Sequence, residues 1–107
     1  VTMCHTGTED ISQYTKKADI IVAAVGVPEM LDSDMISDGV HIIDVGINRI
    51  EDTSTDKGYK LVGDVDRDSV MGKAASLTPV PGGVGPMTIT MLLYNTVKSA
   101  LSFYSSK

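Results

Sequence analysis

The 107-residue chain has no tryptophan, one phenylalanine and four tyrosines, so aromatic rings cannot fill its interior. A core has to be aliphatic, built from Val, Ile, Leu, Met and Ala. A single cysteine, Cys4, excludes an internal disulfide and a cysteine-rich metal site. Positive charge is scarce: the net charge is −5 and no basic run exceeds Lys16-Lys17. That argues against a nucleic acid or an anionic membrane as the main partner. No run of about 18 apolar residues is present, so no membrane span is expected. Val1-Thr2-Met3-Cys4-His5 carries no signal or transit pattern. It reads as a strand in progress, so the chain is expected to begin inside a domain. The length allows one small domain with a modest core. Hydrophobic content of 42% and charged content of 21% fit a folded chain rather than a disordered one.

What is present is an alternation of short apolar runs with helical segments. Val1–Cys4 reads as a strand, followed by a turn at Thr6-Gly7 with Thr8 as the helix cap. A short helix is expected from Asp10 to Lys17, with acidic residues at its start and lysines at its end. Asp19–Val25 and Gly39–Gly46 are continuous, β-branched runs of the kind buried on both faces of a parallel sheet. A brief helix is expected over Ser33–Ile36. Asn48 to Tyr59 is polar and reads as a loop or hairpin, and Tyr59–Val65 as a strand. Asp66 is placed to cap a helix from Arg67 to about Ala75, and Ser76–Thr78 reads as a last short strand. From Pro86 a helix is expected to about Tyr104, with an apolar stripe at Ile89, Leu92, Leu93, Val97, Ala100, Leu101 and Tyr104. Strands and helices in this order predict an α/β fold: a Rossmann-like, mostly parallel sheet with flanking helices, incomplete at its N-terminus.

In such sheets ligands lie at the carboxyl ends of the strands. His5-Thr6, Val25-Gly26, Gly46-Ile47 and the Pro79–Pro86 loop are therefore expected on one rim. Glycine at a strand end lets a flat ligand approach the backbone closely. The loop holds three of the four prolines and three of the ten glycines within eight residues. Stiff on one count and bare on the other, it reads equally as a pocket wall or as a rigid strand-to-helix connector. No G-x-G-x-x-G follows a strand at the start, and no G-x-x-x-x-G-K-[ST] occurs. Asp44 interrupts an apolar strand, so its carboxyl has to be paired or hydrogen-bonded. Asp64 and Asp66 stand two apart, the second a candidate cap, and no metal site is expected. Arg49 suits either a phosphate or a surface ion pair.

Pro81-Gly82-Gly83-Val84-Gly85-Pro86-Met87-Thr88, preceded by Thr78-Pro79-Val80, resembles the signature of the bifunctional methylenetetrahydrofolate dehydrogenase/methenyltetrahydrofolate cyclohydrolase family. Asp44–Arg49, Val62–Val65 and Val25–Pro28 resemble its companion motifs in the same order, and the resemblance runs from Val1 to about Ala100. It implies an enzyme that oxidises 5,10-methylenetetrahydrofolate with NAD(P)+ and hydrolyses the methenyl product to 10-formyltetrahydrofolate. It makes residues 1–107 part of the cofactor domain. It implies that the family's key lysine and tyrosine belong to an N-terminal catalytic folate domain outside these 107 residues, so no catalytic residue and no metal ligand is assigned here.

The resemblance implies cofactor contacts at His5, Thr6, Val25, Gly26, Gly46, Ile47 and Asn48. It implies folate contacts at Pro81, Gly82, Gly83, Val84, Gly85, Pro86, Met87, Thr88 and Ile89. Each has a plainer reading as a strand-end turn, a connector or, for His5, a rim histidine without chemical duty. Thr6 keeps a hydroxyl where relatives bind a 2′-phosphate, so NADP is the expected cofactor, with NAD the alternative. The implied partners are the tetrahydrofolate substrate, the N-terminal domain and a second copy in a homodimer. The implied compartment is the cytoplasm, or else the mitochondrion. From a different class, a non-catalytic nucleotide-binding or assembly module on the same fold stays open.

Overall fold

A computed structural model of the protein describes residues 1–106. Three parallel strands form its centre: β1 (Ile20–Ala23), β2 (His41–Asp44) and β5 (Ser76–Leu77), in the order β1-β2-β5. Ile21 pairs with Ile42, and Ile42 with Leu77. Because all three run the same way, their carboxyl ends share one edge. Between β2 and β5 the chain makes an antiparallel hairpin, β3 (Asn48–Glu51) with β4 (Tyr59–Val62). The polar 48–59 segment thus folds as a hairpin. The Arg49 guanidinium lies 3.5 Å from the Tyr59 ring centroid.

The helices are short except for the last. α1 (Ser12–Thr15) starts at Ile11 without a side-chain cap. Thr8, expected to cap it, instead accepts a hydrogen bond from the His5 N–H, and Asp10 Oδ1 accepts from the Ser12 N–H. A 3-10 turn spans Ser33–Met35, with Asp32 accepting from the Asp34 N–H. α2 (Arg67–Val70) is capped by Asp66, whose Oδ1 accepts from the Ser69 N–H at 3.1 Å. α3 spans Val84–Ser105.

The core lies on one side of the sheet. Ile21, Ala23 and Ile42 point into it and meet Leu31, Ile36, Val40, Val65 and Val70. The opposite face is open: Ile20 and Val22 are each 61% exposed. The reading of β1 and β2 as buried on both faces fails for both strands, since His41 and Ile43 of β2 are exposed too. A continuous apolar run gives no periodicity to distinguish one covered face from two.

Two further expectations fail for want of a neighbour. Val1–Cys4 forms no strand. A strand needs a ladder partner, and this segment has none; Val1, Thr2, Cys4, His5 and Thr6 line, together with β1, a groove of about 1000 Å3. The helical stripe of α3 does not join the core: every residue from 85 to 105 is exposed, Leu92, Leu93 and Leu101 by about two thirds. The radius of gyration is 17.1 Å, against roughly 13 Å for a compact chain of this length. α3 therefore stands off the body rather than flanking the sheet.

Candidate functional site

The carboxyl ends of β1, β2 and β5 are tied together by two buried acids. Asp44 is 3% exposed and Asp64 fully buried. Asp44, the last residue of β2, accepts through Oδ1 from the Gly46 and Asp64 N–H groups, each at 3.0 Å, and through Oδ2 from the Val65 N–H at 3.2 Å. Asp64 follows β4 after Gly63. Its Oδ2 accepts from the Val25 and Gly26 N–H groups at 2.7 and 2.9 Å, and its Oδ1 from the Asn48 side-chain amide at 2.7 Å. Every donor to these two acids is an uncharged amide, and each carboxyl serves as the acceptor. This answers the requirement that buried charge be hydrogen-bonded.

The close approach needs glycine at two positions. A Cβ on Gly46 would fall on the carboxyl of Asp64, and one on Gly63 on the carboxyl of Asp44. The two segments, Asp44-Val45-Gly46 and Gly63-Asp64, therefore clasp each other reciprocally.

β5 joins the same edge through Thr78. Its N–H donates to the Ile42 carbonyl, and its Oγ1 accepts from the Asp44 N–H at 2.8 Å. The Pro/Gly loop leaves from that anchor. The Val80–Pro81 peptide is cis, Gly82 takes φ +96, and a Cβ on Gly83 would strike the Pro79 carbonyl. α3 begins at Val84, so Pro86 lies in its first turn, where a missing N–H costs no helix bond. The Thr88 hydroxyl donates to the Val84 carbonyl, while Met87 and Ile89 lie exposed on α3.

Val25, Gly26, Gly46, Ile47 and Asn48 and the start of the Pro/Gly loop thus follow the three strand ends. Gly26, at φ +72, has open space where a side chain would start, and Ile47 is 60% exposed. Pro81 to Gly85 continue that loop into α3, and Pro86 to Ile89 lead away along the helix. His5 and Thr6 line the same groove as β1 and Val25. The His5 Nδ1 accepts from the Gly7 N–H at 2.9 Å. Among the described residues no cluster of His, Cys, Asp and Glu is placed to hold a metal ion.

By sequence Asp64 reads as one of a pair with Asp66; the structure separates them, Asp64 to the rim and Asp66 to its helix. The readable signal was the near-mirror of Asp44-x-Gly46 and Gly63-Asp64, acids beside glycines in two separate segments.

Comparison with known proteins places this rim in a family. Residues 1–103 match the family model described as tetrahydrofolate dehydrogenase/cyclohydrolase, NAD(P)-binding domain. Bifunctional protein FolD 2 of Haloarcula marismortui is 62% identical over 99 residues, covering 92% of this chain and 33% of that protein. A Campylobacter jejuni FolD methylenetetrahydrofolate dehydrogenase/cyclohydrolase structure superposes with a TM-score of 0.80 at 53% identity, over 94% of this chain and 34% of that one. The Trypanosoma brucei enzyme, solved with NADP cofactor and inhibitor, gives 0.78 at 45% identity, over 90% and 33%. The chain spans about a third of the length of the relatives it matches. With strand ends, glycines and Pro/Gly loop arranged as described, the chain belongs to the tetrahydrofolate dehydrogenase/cyclohydrolase family, matching its NAD(P)-binding domain.

Proposed function

We propose that the chain works as the cofactor shelf and one folate wall of an enzyme that oxidises 5,10-methylenetetrahydrofolate with NADP+, or NAD+, and hydrolyses the methenyl product to 10-formyltetrahydrofolate. The observation that carries this reading is the shared edge. Two glycine-marked strand ends and the proline-stiffened loop are locked side by side through Asp44, Asp64 and Thr78. When bound, the cofactor supplies the hydride acceptor; the residues described here bind and orient it. Val25, Gly26, Gly46, Ile47 and Asn48 make the shelf under the nicotinamide and ribose, with His5 and Thr6 toward the adenosine end. Gly26 fits this duty because nothing lies within 4 Å of its missing Cβ position. The wall facing the folate is Pro81 to Ile89. Rigidity there holds two reactants at a fixed approach, the main contribution a binding surface makes to hydride transfer.

The general acid/base groups belong to a preceding N-terminal folate domain, and the exposed apolar flank of α3 supports a partner of that kind. The family resemblance adds a homodimer as the working assembly and the cytoplasm, or else the mitochondrion, as the compartment. No described helix is long and apolar enough to cross a membrane.

The test is a chimera. Joined to the preceding two thirds of Chloroherpeton thalassium FolD, a relative 61% identical over 99 residues, the chain yields a polypeptide that reduces NADP+ when given 5,10-methylenetetrahydrofolate. The 107 residues alone show no turnover above background. A folded chimera that reduces neither NADP+ nor NAD+ overturns the proposal.

A further inference from the structure

Asp64 is the buried group that the fold alone does not require to be charged. A neutral side chain of the same shape could bridge the same segments, since an amide oxygen also accepts N–H bonds. The question is what the charge does at a ligand-facing edge.

The peptide geometry supplies the answer. Trans peptides hold N–H and C=O on opposite sides, and the one cis peptide among the described residues is Val80–Pro81. The Val25 and Gly26 N–H groups point at Asp64, so the Ala24 and Val25 carbonyls point away from it. The Gly46 N–H points at Asp44, so the Val45 carbonyl points away from that acid. Ala24, Val25 and Val45 are exposed. The carbonyls turned from the two acids are therefore acceptors carried by exposed residues. The Val25, Gly26 and Gly46 N–H groups are engaged with these acids. Behind the acceptors lie two acids with amide partners only. Arg49, the nearest cation in sequence to the β2 end, is held over the Tyr59 ring.

We propose that Asp64 is a positioning and charge-selecting residue of this rim. It turns the strand-end amides inward and leaves a negative, acceptor-rich face that favours the oxidised nicotinamide, a cation with a donating carboxamide, over the neutral reduced ring. The inference rests on the cofactor reading above. It goes further in stating which redox form the shelf selects and which residue selects it.

The experiment titrates the nitrogen-15-labelled chain with NADP+ and with NADPH, following the Val25, Gly26, Gly46 and Ile47 amides. The variant is Asp64→Asn. The asparagine oxygen can still accept from Val25 and Gly26, and its NH2 can face the Asn48 side chain once that amide turns over. Wild type binds NADP+ more tightly than NADPH. Asp64→Asn weakens NADP+ by about tenfold, the scale of one nearby charge in a partly screened site, and changes NADPH by less than about threefold. A structural role alone would weaken both forms alike, so equal losses overturn the inference, as does an unchanged ratio. If neither form moves these amides in wild type, the cofactor reading itself fails and takes the inference with it. Should Asp64→Asn not fold, the wild-type ratio decides alone, and tighter binding of NADPH overturns the proposal.

Discussion

The carboxyl of Asp64 occupies the space where a side chain on Gly46 would begin. That contact joins the turn after β2 to the segment after β4, and through Asp64 to the end of β1. Alanine at position 46 therefore forces apart two segments that a buried acid holds together. Gly46→Ala is expected to cost about 2–3 kcal/mol, the scale of overpacking a tight interior, read from urea unfolding. Gly26→Ala meets open space and carries only the strain of φ +72, about 1–2 kcal/mol. A Gly46→Ala loss no larger than that of Gly26→Ala would contradict the close approach described.

Asp44 serves three buried N–H groups at once. Asp44→Ala leaves them without partners, and each orphaned donor costs about 1–3 kcal/mol. The variant is expected to lose most of its cooperative unfolding transition by circular dichroism. Asp44→Asn keeps an acceptor and is expected to fall between it and wild type. Equal stability of the alanine variant and wild type would show that these bonds carry no weight.

Thr78 links the Pro/Gly loop to β2, with its Oγ1 accepting from the Asp44 N–H. Thr78→Val keeps the shape and removes the acceptor. The expected loss is about 1–2 kcal/mol, with amide exchange at Asp44 accelerated while β1 amides are unchanged. An unaltered Asp44 exchange rate would place the loop's anchor elsewhere.

Much of this arrangement was legible beforehand, and the gaps have physical causes. Turn chemistry and β-branched runs located β1, β2, β5 and the 48–59 hairpin because those signals are local. The Asp44 reading held because an acid inside an apolar strand has few solutions. Asp64 was harder: its partners are 38 and 39 residues away at Gly26 and Val25, and no local pattern announces a carboxyl aimed at another strand's end. Val1–Cys4 has strand composition, but a strand is a property of two segments. The stripe on α3 shows that one face favours cover without showing what covers it.

Asp10 gives a pH signature at the entry to α1. The Ser12 hydroxyl bond holds its carboxyl below the ordinary aspartate value; solvent loss opposes this, and the Ser12 N–H adds to it. A lowered folded value means the contribution is present above the ordinary aspartate value and fades as pH falls through the lowered one. Ser12→Ala is expected to raise the Asp10 midpoint in a carbon-13 carboxyl titration. An unmoved midpoint would rule out the hydroxyl as the main cause.

α3 supplies the sharpest contrast with ordinary core behaviour. Leu93 is 66% and Val97 60% exposed, although both belong to the helical stripe. Buried leucine cut to alanine costs about 2–5 kcal/mol, whereas exposed substitutions stay within about 0.5 kcal/mol. Leu93→Ala and Val97→Ala are therefore expected to leave the unfolding of the 107-residue chain nearly unchanged. In the chimera with the Chloroherpeton thalassium N-terminal region, the same substitutions are expected to cost more than about 1 kcal/mol if that region covers the stripe. A large loss in the isolated chain would mean that α3 folds back onto the open face of β1, where Ile20 and Val22 lie uncovered. A small loss in both would leave the stripe without a partner in the assembled enzyme, and the place proposed for the N-terminal domain would have to move.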